Sequence, residues 1–267
     1  LYRPTGESGD FEKANFPIGV EGGKTSTCPT QNLMEAYDMK DGTPFVWNNQ
    51  SDPYDNRDPR MKYTIVCNEM KWPVDPVEIW EGGTNGLPLQ NATTTGYYLK
   101  KYVNNTISFE AGSTVTKKQH NWVLFRYGEI LLNYAEAMIN AFHDPNYKDA
   151  VYNMSAREAV NQIRGRTNIS LPGFPSDITE KDFVKRLKNE RRVELAFEGH
   201  RFWDVRRWKE LGQTANIYGV KITKNNEVIS YEKFLLETRA VTDNMYFYPI
   251  PNTERFKNPN LGQNLGW

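Results

Sequence analysis

The chain has 267 residues with 33 acidic and 33 basic side chains, so its formal net charge is zero. That balance leaves no electrostatic footprint for nucleic acid or an anionic membrane surface, and the length allows one large domain or two small ones. Hydrophobic residues make up only 38% of the chain but aromatics reach 13%, so rings must carry much of the core and leave some for a binding surface. No apolar run approaches the roughly 20 residues of a membrane-spanning helix. The opening LYRPTGESGDF lacks the basic and apolar regions of a signal peptide and reads as the middle of a loop. Cys28 and Cys67 lie far apart and fit a disulfide or two free thiols equally well. His120, His143 and His200 are scattered singly, and neither a Gly-rich phosphate loop nor a G-x-S-x-G elbow is present. No metal and no cofactor is expected.

In chain order, Leu1 to about Lys118 is dense in Gly, Pro, Asn, Asp and Thr and reads as mostly irregular. A short helix is expected at Asn32 to Met39, ended by the turn at Asp41-Gly42. SDPYDNRDPR, Ser51 to Arg60, predicts a tight loop. Each proline disfavours helix in the residue before it, and Asp and Asn side chains can tie back to backbone amides. MKYTIVCN, Met61 to Asn68, is rich in β-branched residues and predicts a strand, with a second at Tyr97 to Val103. Between them lies a loop with two Pro-anchored turns and a Gly-Gly.

From Asn121 the pattern turns helical. Tyr127, Ile130, Leu131, Tyr134 and Met138 fall on one stripe of a helix. Asp144-Pro145-Asn146 should stop it and start a second helix from about Tyr147 to Ile163, with Pro145 in its first turn. The pair makes a helical hairpin resembling a tetratricopeptide (TPR) unit. After LPGFP, Thr179 with Asp182 offers an N-cap for a third helix, and a fourth follows Gly199.

The stretch NERRVELAFEGHRFWDVRRW, Asn189 to Trp208, organises the whole. Phe183, Val184, Leu187 and Leu195 set an apolar face, yet Glu190, Arg191, Glu194 and Glu198 project onto that face or its rim. Buried carboxylates must be partnered, and Arg191, Arg192, Arg201, Arg206 and Arg207 are at hand. A catalytic reading makes Glu194, Glu198 and Asp204 an acid/base group for glycoside hydrolysis. A structural reading makes them half of an internal ion-pair network. Guanidinium neighbours hold carboxylates ionised and acceptor-only, which suits a scaffold and not a general acid. Downstream, Lys221 to Thr223 and Val228-Ile229 predict a hairpin around Asn225-Asn226, and YPIP fixes an extended segment within MYFYPIPNTERFKNPNLGQNLGW.

NERRVELAFEGHRFWDVRRW closely resembles the signature of the SusD/RagB family. PTQNLMEAYDMKDGTPF, YDNRDPRMKYTIV and the ending PIP…E…NP.L.QN.GW match the same family in its order over most of the chain. The resemblance implies a mostly α fold of TPR-like hairpins in a SusD-like α/α superhelix, with a long irregular loop layer and small β elements. Residues 1–118 would be the loop layer, 119–212 the TPR-like helices and 213–267 C-terminal loops. Together they would form the C-terminal half of a SusD/RagB-like domain. Two repeats are too few to stand alone, so neighbouring helices, and a lipid-bearing cysteine, are expected upstream of Leu1. The family binds glycan or another nutrient at the outer-membrane surface and works with a SusC-like TonB-dependent transporter. It performs no chemistry of its own. A pure protein–protein scaffold, as TPR arrays often are, is the other non-catalytic reading.

A sugar platform needs an exposed ring with amide, carboxylate or guanidinium groups beside it. Trp122, Trp203 and Trp208 sit in helical patterns and are expected in the core, and Trp267 in the terminal motif is expected to be structural. That leaves Trp47, Trp72 and Trp80 in the loops, with Tyr54 nearby and Asn48, Asn49 and Gln50 directly after Trp47. At least one of these tryptophans is expected to present its face to solvent. Glu194 is expected to be buried beside an arginine.

Overall fold

A computed structural model describes residues 2–48, 52–109 and 117–267. Asn49 and Gln50 therefore lie outside the described residues. The regular elements run β1 (Tyr2–Ser8), α1 (Asp10–Asn15), α2 (Gln31–Met34), α3 (Pro59–Thr64), β2 (Ile65–Val66), β3 (Tyr98–Leu99), β4 (Lys118–Val123), α4 (Tyr127–Phe142), α5 (Ala156–Arg164), α6 (Glu180–Glu194), α7 (Arg201–Arg207), β5 (Asn216–Asn225), β6 (Val228–Thr238) and α8 (Asn252–Lys257). Helices α4 and α6 are the longest elements, and among the described residues the strands form two-stranded antiparallel sheets, β1–β4, β2–β3 and β5–β6.

The helical layer is built as its sequence suggests, with shifted edges. α4 packs against α5 and α6, and Leu132, Ala135, Ile139, Val160, Phe183 and Leu187 fill the space between them. Ser155 starts α5 through a full capping box with Glu158, nine residues after the expected start near Tyr147. The intervening segment is loop because the Asp149 carboxylate accepts from the amides of Val151 and Tyr152. The Thr179 hydroxyl accepts from the Asp182 amide at 3.1 Å and caps α6 as expected. α6 ends at Glu194 and the chain turns through Gly199, whose φ of +84° suits only glycine without strain.

Residues 121–123, where the pattern was expected to turn helical, belong to β4 and pair with β1 instead. A partner more than a hundred residues away is invisible to local periodicity. Trp122, expected in the core, is consequently an exposed strand residue that stacks on Tyr102 with centroids 6.4 Å apart. The stripe on α4 is also rotated: Leu131 and Met138 are buried, but Tyr127 and Ile130 face solvent.

The loop layer has its own core. Met34, Tyr37, Tyr54, Met61, Ile65, Trp72, Tyr97 and Tyr98 lie together, joined by Val220, Ile222 and Tyr231 from the β5–β6 hairpin. That hairpin turns where expected, after Asn225, but runs far longer than expected on both sides. Half of the strand expected at Met61–Asn68, up to Thr64, is helix α3, because Asp58 caps the Arg60 amide at 2.9 Å with Pro59 in the first turn. Only Ile65 and Val66 remain as strand, paired with Leu99 and Tyr98. The Ser51–Arg60 loop is tied as predicted: Asp52 accepts from the Tyr54 amide at 2.8 Å and Asp55 from the Asn56 amide at 2.9 Å. Cys28 and Cys67 are both free thiols.

Candidate functional site

The seam between the two layers is made of charge. Glu190 and Glu194 point from α6 into it and are buried, with Glu194 only 5% exposed. Glu194 is bound by Arg60 at 3.0 Å, Arg126 at 2.7 Å and Arg166 at 2.8 Å. Glu190 is held between Arg60 and Arg164, while Glu198 takes Arg126 at 2.8 Å and Lys101 at 2.6 Å. Burial alone would raise the Glu194 carboxyl, but the guanidiniums of Arg60, Arg126 and Arg166 outweigh it and hold it down at about 2. Glu190 and Glu198 are likewise held below the usual range, because their cations overcome their burial.

The expectation of a buried, arginine-paired Glu194 holds, but the partners differ from those expected. Among the arginines near it in sequence, Arg191 and Arg207 serve Asp204, at 2.8 and 2.9 Å. The cations for Glu190, Glu194 and Glu198 come from α3, α5 and the segments after β3, β4 and α5. These carboxylates join loop layer to helices. Their donor contacts leave no oxygen set up to deliver a proton, which disfavours Glu194, Glu198 and Asp204 as a glycosidase group.

The seam also positions a cleft. A cavity of about 460 Å³ lies between Glu35, Ala36, Asp38, Pro44 and Phe45 on one side and α6 with Arg201 of α7 on the other. The Arg57 guanidinium sets the loop side. It is buried, donates to the carbonyls of Pro53, Met34 and Tyr37 at 2.6 to 2.7 Å, and lies 3.6 Å from the centroid of the Phe45 ring. Phe45 lines the cleft, and Trp47 packs edge-on against it with centroids 6.4 Å apart. Across from them stand Asn189, Arg192, Arg201 and Gln213. Aromatic surface on one wall and amide and guanidinium donors on the other make a polar cleft of ligand-binding type.

The structure separates the predicted site residues. Trp47 is half-buried at the cleft's loop and Asn48 beside it is exposed. Trp80 is also half-buried, away from this cleft, and the Lys224 ammonium sits 4.4 Å above its ring. Tyr54 and Trp72 are a correction. Both are buried in the loop-layer core, Tyr54 edge-on to Tyr97 and Tyr231, and Trp72 with Lys100 at 4.9 Å from its ring. Neither offers a face to a sugar. A layer with little regular secondary structure has no apolar stripe to bury and fills its interior with rings instead.

Trp203 corrects the expectation in the other direction. It is 58% exposed, because the short α7 buries only Asp204 and Val205 and turns Trp203 outward. There it meets Tyr248 at 6.3 Å and borders a groove of about 750 Å³ with Tyr246 and Phe247. Trp208 is half-buried and donates to Glu136 at 2.8 Å. Trp267 is structural as expected, its indole N–H bridging the carbonyls of Asn244 and Phe247. Arg57, Arg192 and Arg201 gave no site signal in the sequence, since nothing local shows which arginines lack a carboxylate.

The chain can now be set beside known proteins. The model of the SusD family matches residues 5–267. Two curated proteins of Formosa agariphila, the SusD-like proteins P2 and P38, are 29% and 30% identical over 159 and 151 residues. Those segments cover 58% and 54% of this chain, but only 27% and 24% of the relatives. A solved SusD-like protein of Bacteroides fragilis superposes with a TM-score of 0.81 at 26% identity, covering 100% of this chain and 54% of that one. A second from the same organism, described as a SusD-like carbohydrate binding protein, gives 0.74 at 25% identity over 94% of this chain and 51% of its own. The chain thus spans about half the length of the solved relatives. The fold, the signature around Glu194 and the near-complete match to the family model agree: this chain belongs to the SusD family.

Proposed function

We propose that this chain binds extracellular glycan, or another nutrient, in the cleft that Phe45 and its loop-layer neighbours form with the α6–α7 helices. In this reading it acts at the outer-membrane surface and hands its ligand to a SusC-like TonB-dependent transporter without changing it chemically. The cleft's build carries the reading: Phe45, braced by buried Arg57 and with Trp47 edge-on beside it, lies opposite the amide and guanidinium groups of Asn189, Gln213 and Arg192. Sugars are recognised by such pairings of ring surface with planar hydrogen-bond donors. The solved relative described as carbohydrate binding supports the same ligand class. Binding without catalysis fits the carboxylates Glu194 and Glu198, both engaged by cations. The α4–α5 and α6–α7 pairs would then be TPR-like hairpins serving as scaffold. Among the described residues no helix is long and apolar enough to cross a membrane.

A glycan panel followed by calorimetry tests this. Phe45→Ala should weaken the best ligand by about tenfold, roughly 1.4 kcal/mol, and Trp47→Ala, which removes the ring packed against Phe45, should weaken it less. Wild-type affinity in both variants would place the site elsewhere. One observation favours a protein–protein role as well: Trp203, Phe247 and Tyr248 form an exposed aromatic border of the kind that recurs in interfaces. Loss of transporter co-purification in Trp203→Ala, with glycan affinity intact, would assign that groove to a partner protein.

A further inference from the structure

The cleft is asymmetric in charge. Its lining holds six cations, Lys181, Lys185, Arg186, Lys188, Arg192 and Arg201, against four carboxylates, Glu35, Asp38, Glu190 and Glu210. Every one of those carboxylates is already engaged. Glu35 takes Lys233 at 2.8 Å, Asp38 takes Arg164 at 3.2 Å, Glu190 takes Arg164 at 2.7 Å and Glu210 takes Lys188 at 2.5 Å. Among the described residues, Arg192, Arg201, Lys181 and Lys185 make no ion pair. Arg192 donates to the Asn32 carbonyl at 2.7 Å, and Arg201 to the side-chain carbonyl of Gln213 at 2.8 Å. Both acceptors are neutral.

Two partly buried guanidiniums therefore line one cleft with no carboxylate bound to either. This arrangement is costly, because burial disfavours each charge and the two repel one another. Burial, reinforced by the Arg201 charge, holds Arg192 down at about 10, and burial also lowers Arg201 despite the more distant Glu210 and Asp204. Arg60, Arg164 and Arg191, by contrast, each have a carboxylate within 3.2 Å, and Arg57, which has none, is held by three carbonyls and the Phe45 ring. The whole chain is neutral, so the surplus is local. A planar guanidinium pair matches the paired oxygens of a carboxylate or sulfate.

We propose that the cleft selects a negatively charged glycan, whose carboxylate or sulfate groups occupy the place of the missing counter-ion between Arg192 and Arg201. Lys181 and Lys185 extend the positive surface along α6 toward a neighbouring charged sugar. This rests on the glycan-binding reading above and adds the ligand's charge to it.

Calorimetry on the full chain distinguishes the two. The probes are an oligogalacturonate and its neutral methyl ester, and a sulfated galactan oligosaccharide with its desulfated counterpart, at low and moderate salt. An anionic probe should bind at least about tenfold more tightly than its neutral twin, and the preference should shrink as salt screens it. Which anionic probe is preferred separates uronate from sulfate recognition. Arg192→Gln with Arg201→Gln should remove the preference while leaving neutral-probe binding in place. Should that pair fail to fold, Lys181→Gln with Lys185→Gln should cut the preference several-fold. Equal binding of charged and neutral twins, or a preference that survives these substitutions, overturns the charge inference alone. No binding by any probe, extended across a glycan panel, overturns the glycan reading and this inference with it.

Discussion

The loop layer and the helical layer treat their tryptophans and tyrosines in opposite ways. Tyr54, Trp72, Tyr97 and Tyr98 come from segments with almost no regular structure and are buried, whereas Trp203 on a helix, and Tyr127 at the start of another, are exposed. Helices bury an apolar stripe efficiently with Leu, Ile, Val, Ala and Phe183, as α4, α5 and α6 do, so their tryptophans and tyrosines can be left for other surfaces. A loop layer has no periodic stripe and must gain its buried area from few, large side chains. It also satisfies its polar atoms irregularly, through Arg57 on three carbonyls and Tyr97 on Gln31 at 2.6 Å. Loop placement is therefore a poor guide to exposure in a chain this rich in rings.

The seam between the layers should give the largest effect. Removing the Glu194 carboxylate leaves Arg60, Arg126 and Arg166 facing one another without it, and Glu194→Ala should cost about 3–5 kcal/mol in urea unfolding. The pH dependence follows from the same contacts. Glu194 titrates at about 2 when folded, below the roughly 4.3 of an unfolded glutamate. Its stabilisation is complete above about pH 4.5 and disappears as the pH falls toward 2. Wild-type stability should drop through that window, and Glu194→Gln should flatten the drop. An unchanged acid profile would mean that charge does not join the layers.

Trp72→Ala sharpens the contrast within the loop layer. The ring is buried among core residues, and its loss should cost about 3 kcal/mol, the lower end for a large aromatic. A cost under about 1 kcal/mol would show that the loop-layer interior collapses around the gap and is not packed as a core. Ser155→Ala tests the helical side at smaller scale. It removes one half of the α5 capping box, in which Glu158 returns to the Ser155 amide at 2.8 Å, and should cost about 1 kcal/mol.

The sequence carried the features that depend on neighbours in the chain. The α6 cap at Thr179, the turn after Asn225, the side-chain ties of the Ser51–Arg60 loop and the burial of Glu194 could all be read from spacing. What could not be read depends on distant partners. Glu194 finds Arg60 across 134 positions, and β4 finds β1 across the whole loop layer. For the candidate site, none of Trp47, Asn48, Tyr54, Trp72 and Trp80 lines the cleft: Trp47 abuts Phe45, which does, while Tyr54 and Trp72 look the same in sequence and are core. The unpaired guanidiniums of Arg192 and Arg201 were hidden for a further reason: the signature stretch contains so many charges that only geometry shows which ones remain unmatched.

The smallest effect should come from Trp203. Its ring is 58% exposed and touches Phe202 and Tyr248, themselves exposed. The neighbouring Asp204 and Val205 do the packing of α7, with Asp204 fixed by Arg191 and Arg207. Trp203→Ala should therefore change the unfolding free energy by no more than about 0.5 kcal/mol, while Trp72→Ala in the same assay costs several times as much. The pair isolates the contrast, because the substitution is chemically identical and only the layer differs. A loss above about 2 kcal/mol at Trp203 would mean that this face is covered in the folded protein in solution. The helical layer would then bury its tryptophan as the loop layer does, and the proposed division of roles between the two would not hold.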